Sequence, residues 1–248
     1  MLVPASFTRQ APAAKSPTTA GQADGSDSGA RALIAKAIDA RGGLDRLRSI
    51  KTVKATSDME FATASGPARV ATTTYVKYPA QFRIDATGPD GRQVQTFDNG
   101  NAWVGDNSGT RQAPPEYAQL LQASVQRDPV SLLLALNDKR VSGRRVADVK
   151  LAGIAMPALE VQLAPAGHLT LLFDGATGLL AAQRYGGTPG NPATEETFFD
   201  YRDIQGLKVA FRVRVRVEGQ PPFVRMIRSI DFNVPVDAAL FVKPKPEA

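Results

Sequence analysis

Few side chains in this sequence are able to perform acid–base, nucleophilic or metal chemistry. The chain of 248 residues contains one histidine, His168, and no cysteine. Zinc sites built from several imidazoles or thiolates are therefore excluded, and so is a cysteine nucleophile. A Ser-His-Asp triad would require His168 as its base. The segment 105–109, Gly-Asp-Asn-Ser-Gly, resembles a serine nucleophile loop, but its residue types favour a turn.

Phosphate and carboxylate chemistry have equally little support. The sequence has no Walker pattern, no Gly-x-Gly-x-x-Gly after a strand, no nucleophile elbow and no calcium-loop spacing. Glu195 and Glu196 are neighbours, so on a strand they would point to opposite faces, and we expect both to be exposed to solvent. We predict no catalytic residue, no metal ion and no cofactor. The enzyme alternative needs an acid–base carboxylate in a cavity, which the sequence does not locate.

The chain is basic, with a formal net charge of +6 and an isoelectric point near 9.7. Its densest basic group is Arg212, Arg214 and Arg216, which alternate with apolar residues in the segment 209–217. This alternation predicts a strand with one face in the core and one face in water. We expect the three arginines on the wet face and predict that they contact a protein partner or lipid headgroups. No nucleic-acid-binding motif is present, so we predict no nucleic-acid binding.

The hydrophobic pattern changes along the chain from a helical period to a period of two. Apolar residues at helical spacing predict a helix over 30–41, which Gly42 and Gly43 would end. After it, alternation predicts a meander of about five strands. Asp90-Gly91 and Asn99-Gly100 are typical of two-residue hairpin turns. Seven further strands are predicted over 144–151, 158–163, 169–173, 179–185, 194–204, 209–217 and 223–234.

The segment 114–137 interrupts this strand pattern. Pro114-Pro115 predicts the start of one helix, and Asp128-Pro129 predicts the start of a second with Asp128 as its N-cap. The second helix is apolar on most of its circumference, so it is buried or covers an apolar surface. Leu240 and Phe241 are expected to dock on the sheet.

These elements predict a mainly β fold with some α structure, of the α+β class. Residues 1–28 have almost no large apolar side chains, so we predict a disordered linker or tail there, a domain over 29–243 and a short tail over 244–248. A large sheet with few helices either packs an ordinary core or curls around a cavity. Periodicity alone leaves both open. No apolar run spans a bilayer, and the N-terminal residues do not form an export signal.

Several segments together, in this order, resemble a bacterial family of proteins. They are the segments 40–55 (ARGGLDRLRSIKTVKA), 75–85 (YVKYPAQFRID), 97–103 (FDNGNAW), 172–180, 200–206 (DYRDIQG) and 233–241. Over about residues 30–243 the chain is similar to outer-membrane lipoprotein-sorting proteins, the LolA/LolB-like lipoprotein carriers. The resemblance implies a curved antiparallel sheet or incomplete β-barrel, with helices covering its concave side.

The resemblance also implies a function. Its members are non-enzymatic carriers that hold lipid or lipoprotein acyl chains in an apolar cavity under a helical lid, in the periplasm or cell envelope. We expect this chain to be a monomer that binds acyl chains, with an envelope protein as a further partner. The residues expected to line the cavity are Met59, Phe61, Val76, Phe82, Phe97, Trp103, Leu121, Leu133, Phe173, Phe199 and Phe211.

The sequence leaves an alternative open. The Ala/Pro/Ser-rich N-terminal segment is typical of an interdomain linker. Domains of this type resemble the C-terminal module of some insulinase-like peptidases. In that case the domain would be a structural or interaction module of a larger envelope protein, and its apolar sheet face would be an ordinary core.

Overall fold

The computed structural model describes residues 28–63, 66–164, 167–188 and 191–244. The predicted disordered tail of residues 1–28 lies outside the described residues, except for Ser28, which begins the first helix. The predicted C-terminal tail lies outside them from residue 245 onward. None of the described helices combines the length and apolar character needed to cross a bilayer.

Four α-helices form in the described residues, and three of them confirm the predicted helical segments. They are α1 (Ser28–Arg41), α2 (Leu44–Ser49), α3 (Pro115–Arg127) and α4 (Pro129–Asn137). Gly42 ends α1 with a φ of +128°, a conformation that glycine adopts without the steric cost of a Cβ. A Cβ at this position would also collide with the carbonyl oxygen of Gly206, so the turn requires a glycine.

Thirteen strands form one antiparallel sheet. They are β1 (Thr52–Thr63), β2 (Gly66–Lys77), β3 (Gln81–Gly88), β4 (Gly91–Asp98), β5 (Asn101–Asp106), β6 (Gly109–Gln112), β7 (Gly143–Leu151), β8 (Ile154–Leu163), β9 (Gly167–Phe173), β10 (Leu180–Tyr185), β11 (Thr194–Ile204), β12 (Leu207–Val217) and β13 (Phe223–Phe232). The strand order is β6-β5-β4-β3-β2-β1-β13-β12-β11-β10-β9-β8-β7.

The sheet consists of two meanders, β1–β6 and β7–β13, that meet at the β1–β13 pair. In that pair Val53 lies opposite Phe232 and Phe61 lies opposite Phe223. The edge strands β6 and β7 do not pair with each other in the described residues, so the sheet is an open barrel. This confirms the predicted mainly β architecture with an incomplete barrel.

Two strands differ from the prediction. Strand β6 is not among the predicted strands, because its four residues (GTRQ) include no large apolar side chain. Strand β8 begins at Ile154 rather than Ala158, and it continues through Pro157. The register between β7 and β8 shifts at this point, where Met156 faces Val149 and Ala158 faces Val146. Proline has no N–H to donate, so it is accommodated in a strand at such an irregularity.

All four helices pack on one face of the sheet, which we call the inner face. The main core cluster combines buried residues of the helices with inward-facing residues of most strands. The chain end packs on the opposite, outer face, where Arg83 Nη1 donates to the Leu240 carbonyl oxygen at 3.2 Å. Phe241 is fully buried, which confirms the predicted docking of this segment.

Candidate ligand-binding interior

The helices α3 and α4 form a cover over the inner face. In α4, Val130, Leu132, Leu133 and Leu136 are all buried, as expected for a helix that is apolar on most sides. In α3, Tyr117 and Leu121 are buried, whereas Leu120 is 38% exposed. We call α3 and α4 together the helical cover.

Asp128 links the two helices of the cover to the sheet. Its Oδ1 atom accepts hydrogen bonds from the Val130 backbone N–H at 3.0 Å and from the Tyr78 hydroxyl at 2.7 Å. The first bond is the predicted N-cap of α4. The second joins the cover to the end of β2. Burial and the nearby carboxylate of Asp128 both raise the pKa of Tyr78 well above its ordinary value, so its hydroxyl stays a donor at neutral pH.

Further contacts hold the ends of the cover. Gln126 Nε2 donates to the carbonyl oxygen of Ala164 at 2.9 Å. The guanidinium carbon of Arg127 lies 4.0 Å from the centre of the Tyr185 ring. At the end of α4, Arg48 Nη2 lies 2.7 Å from Asp138 Oδ1. The cover is therefore fastened by a few polar contacts around an apolar contact surface.

The space beneath the cover is filled by protein side chains. A void of about 10 Å³ remains there, next to Leu132, Leu133, Leu171 and Phe173. A void of this size holds about one water molecule. In this conformation the inner side chains therefore pack against α4, as in an ordinary core.

The structure brings seven of the predicted lining residues together in the main core cluster. They are Val76, Phe82, Phe97, Leu121, Leu133, Phe173 and Phe211. Each is less than a tenth exposed. The five strand residues of this set come from both meanders and share the inner face with the two residues of the cover, so this region is the candidate binding interior.

Met59 and Phe61 lie on the inner face in a second apolar cluster. Met59 packs there with Val213 and Val215, and the Phe61 ring stacks on Phe223 with centroids 4.7 Å apart. Val213 and Val215 follow Phe211 on the same side of β12, so both clusters belong to the inner face.

Buried polar side chains lie on the inner face next to the second cluster. Glu196 is 4% exposed and Arg225 is 2% exposed, and Arg225 Nη2 lies 4.0 Å from Glu196 Oε2. Glu196 also accepts hydrogen bonds from Gln183 Nε2 at 3.1 Å and from the Tyr185 hydroxyl at 2.9 Å. We call these four residues the polar layer. Burial, and then the charge of Glu196, raise the pKa of Tyr185, which remains a donor.

The polar layer corrects the expectation that Glu196 is exposed. Glu196 and Glu195 do point to opposite faces, as adjacent strand residues must. Pairing places Glu196 opposite Val215, an inward-facing residue, and this brings the carboxylate inside. Only the cross-strand register reveals the position, because nothing in the local sequence distinguishes it from its neighbour.

Two predicted lining residues point to the outer face. Ala102 and Val104 belong to the main core, so Trp103 between them faces outward, and Lys243 Nζ lies 5.4 Å from its ring centre. Phe198 packs with the inner second cluster, so Phe199 faces outward. There the Phe199 ring contacts Arg212 and Arg214, with guanidinium carbons 5.0 and 5.7 Å from the ring centre.

The three predicted outer arginines are on the outer face of β12. Arg212 and Arg216 are exposed, and Arg214 is half-buried. Arg216 also lines an open cleft of about 570 Å³ at the ends of β9 to β12, together with Arg184, Glu195 and others. Within this cleft Arg184 Nε lies 2.8 Å from Glu195 Oε2, so its charges are largely paired.

The residues considered for catalysis do not assemble. The His168 side chain is 57% exposed, and its Nε2 lies 3.9 Å from Glu160 Oε1. Ser108 donates to Asp106 through both its backbone N–H and its hydroxyl, which is the hydrogen bonding of a turn. Across the described residues, no group of three or more His, Cys, Asp or Glu side chains is arranged to hold a metal ion.

Comparisons with known proteins identify the fold. No family model and no curated protein matches the sequence. Among solved structures, the chain is similar to a LolA superfamily protein from Nitrosomonas europaea, with a TM-score of 0.61, 9% identity and coverage of 86% of this chain and 97% of the other.

Two more structures support the same conclusion. A DUF1329 family protein from Desulfovibrio piger has a TM-score of 0.58 at 14% identity, covering 85% of this chain and 96% of that one. A putative outer membrane lipoprotein-sorting protein domain from Vibrio parahaemolyticus has a TM-score of 0.57 at 11% identity, covering 84% and 94%. The chain therefore has a LolA-like open-barrel fold. At these identities the likeness concerns the fold alone.

Proposed function

We propose that this domain binds an acyl chain of a lipid or lipoprotein in the bacterial cell envelope, beneath the helical cover, and that it catalyses no reaction. One observation carries the proposal. The apolar helix α4 packs across the apolar inner face of an open sheet, where Leu133 and Phe173 share one core with other predicted lining residues. The similarity in fold to a lipoprotein-sorting domain supports the same ligand class.

Binding requires the cover to move. Ligand pockets for small molecules are about 300–1,000 Å³, whereas the void beneath the cover is about 10 Å³. An acyl chain would replace the side chains of α4 against the sheet. The apolar surface that α4 no longer buries is replaced by apolar surface of the ligand. Both are worth about 25 cal/mol per Å², so the net free-energy cost of the exchange is small.

The polar contacts of the cover determine where it opens. The Asp128–Tyr78 hydrogen bond lies at the junction of the two helices, and the Arg127–Tyr185 contact lies at the end of α3. The hydrogen bond to the Asp128 carboxylate is worth about 1.5–3 kcal/mol and the cation–π contact about 1 kcal/mol, both less than the apolar contacts together. The polar layer limits the depth of binding, because an acyl chain that displaced Glu196 from its donors would leave a buried carboxylate unsatisfied.

Thermal unfolding and displacement of a fluorescent fatty acid test the proposal together. Leu133→Ala removes apolar volume from the side of α4 that packs on the sheet and destabilises the fold by about 2–5 kcal/mol. We expect fatty acid to bind this variant more tightly than the wild type, and to restore much of its Tm, because the ligand fills the new space. Leu120→Ala is the matched control, because Leu120 lies in the same cover but is 38% exposed.

The filled interior favours a second candidate, a structural or interaction module of a larger envelope protein. If the inner face is an ordinary core, the wild type binds no fluorescent fatty acid. Added fatty acid then raises the Tm of neither the wild type nor Leu133→Ala. Leu133→Ala would then be destabilised without rescue. Displacement of the bound probe from the wild type by fatty acid, together with a raised Tm of Leu133→Ala, would exclude this candidate.

A further inference from the structure

The outer face of β11 and β12 holds two arginines in a fixed arrangement. Arg212 lies directly opposite Phe199 in the strand pairing, and Arg214 lies two residues further along β12. Both guanidinium groups pack on the Phe199 ring, at 5.0 and 5.7 Å from its centre. Cation–π contact with the ring holds the two positive charges side by side.

These two arginines differ from others on the outer face in their electrostatic surroundings. Arg184 has Glu195 at 2.8 Å, and Arg69 has Asp58 at 2.5 Å. In the part of the chain that the structure describes, no carboxylate lies within 4 Å of Arg212 or Arg214. The ring contact orients their charges without neutralising them, so this position presents a concentrated positive charge.

The carboxylate of Asp200 is close enough to sense this charge. Arg212 contributes to the lowered pKa of Asp200, although the hydrogen bond from Arg202 is the larger cause. Asp200 Oδ2 lies 2.6 Å from Arg202 Nη2, so its negative charge is already paired with another guanidinium. Asp200 therefore leaves Arg212 available to an external anion.

The cross-strand neighbours of the arginines are apolar. Met226 lies opposite Arg212 and Val224 lies opposite Arg214 in the pairing with β13, and both are half-buried. We call Phe199, Arg212, Arg214, Val224 and Met226 the arginine patch. Its guanidinium groups are able to bind the phosphate oxygens of a phospholipid. Its ring and aliphatic groups are able to contact the apolar region of the bilayer just below those phosphates. An acidic protein surface would instead bring polar groups against Val224 and Met226.

We propose that the arginine patch docks the domain on a membrane surface that contains anionic phospholipid. Arg212 and Arg214 bind headgroup phosphates, and Phe199 with its apolar neighbours contacts the interfacial region. Arg216, on the same face two residues further along β12, has Glu195 Oε1 at 3.8 Å, so the proposal does not depend on it. Because the helical cover is on the inner face, docking leaves it uncovered. The proposal does not depend on acyl-chain binding.

Vesicle sedimentation tests the proposal with the whole chain. Wild-type protein is mixed with vesicles of phosphatidylcholine alone or of phosphatidylcholine with phosphatidylglycerol. We expect binding to the second type only, and weaker binding as salt is added. Arg212→Gln/Arg214→Gln should reduce the affinity roughly thirty-fold, because each basic residue near an anionic surface contributes about 1 kcal/mol.

Arg140→Gln/Arg144→Gln is the control, because it removes the same charge from two exposed arginines that have carboxylates nearby. It should retain most of the vesicle binding. Equal loss in both double variants would overturn the proposal by showing attraction through net charge alone. Failure of the wild type to bind phosphatidylglycerol vesicles would also overturn it and would leave an acidic protein as the occupant. Displacement of fatty acid measured without vesicles should be unchanged in Arg212→Gln/Arg214→Gln, which separates this proposal from the proposed function.

Discussion

The sheet contains two carboxylate–arginine groups that are similar in composition and opposite in environment. On the inner face, Glu196 and Arg225 are both nearly inaccessible to solvent, with side chains 6% and 2% exposed. On the outer face, Asp58 is 5% exposed, but its partners Arg69 and Arg228 are 59% and 50% exposed. The outer arginines keep most of their hydration. The inner pair has lost its hydration, so its stability depends wholly on protein contacts.

This comparison explains where the interior tolerates change. The region under the helical cover is apolar and bounded by helices held by few of the polar contacts described above, so we expect an apolar ligand to displace its side chains. The region around the polar layer is bounded by strands, and Gln183, Tyr185 and Arg225 all direct donors toward one carboxylate. We therefore expect ligand binding to be confined to the first region.

Removal of the inner carboxylate should have the largest effect. Glu196→Leu removes the buried carboxylate that lies 4.0 Å from Arg225 Nη2, and we expect a loss of about 3–5 kcal/mol in the free energy of unfolding, measured by urea denaturation. Glu196→Leu/Arg225→Met should recover most of this loss, because both charges of the pair are then removed together. If the single variant is as stable as the wild type, the polar layer is accessible to water.

Truncation of one apolar side chain at each end of the inner face should cause a similar loss of stability. Only one of the two variants should regain its Tm when fatty acid is added. Met59 is fully buried in the second apolar cluster, and Met59→Ala should cost about 2–5 kcal/mol, as Leu133→Ala does. We expect fatty acid to raise the Tm of the Leu133 variant and to leave that of Met59→Ala unchanged. Equal rescue would show that the acyl chain passes the polar layer.

Sequence patterns predict the elements and most of the inward-facing side chains, but they misplace two aromatic residues. Phe198 and Phe199 are adjacent, and the prediction places Phe199 in the interior, whereas the structure has Phe198 there. Local alternation does not separate them, because the outer position is also stabilised by contact with Arg212. Trp103 differs in the same way, since the chain end covers the outer face beside it. Both outcomes depend on contacts with residues distant in sequence.

The outer group of Asp58, Arg69 and Arg228 predicts that the stability of the fold depends on pH. Hydrogen bonding from Arg69 lowers the pKa of Asp58, burial opposes the shift, and Arg228 lowers it further. Because the pKa is lower in the folded state, the carboxylate stabilises the fold above about pH 4, and this contribution is lost as the pH falls through the folded value. Because Arg69 and Arg228 are half exposed or more, solvent screens both ion pairs and the contribution is small. In Asp58→Asn, the fall in Tm on acidification should be smaller than in the wild type, and an identical pH profile would contradict this assignment.

The last prediction concerns the rate at which the cover opens. Tyr78→Phe removes the hydrogen bond to Asp128 but leaves the Val130 N–H bonded to the same carboxylate, so α4 keeps its N-cap. We expect a loss of about 1.5–3 kcal/mol in stability, because the acceptor is a carboxylate, and a faster uptake of fluorescent fatty acid in stopped-flow mixing. Tyr201→Phe is the control, because the Tyr201 hydroxyl donates to the Leu180 carbonyl oxygen, within the sheet region. If both variants take up the probe at the wild-type rate, the Tyr78–Asp128 contact does not limit opening, and the ligand enters without separation of the cover at its helix junction.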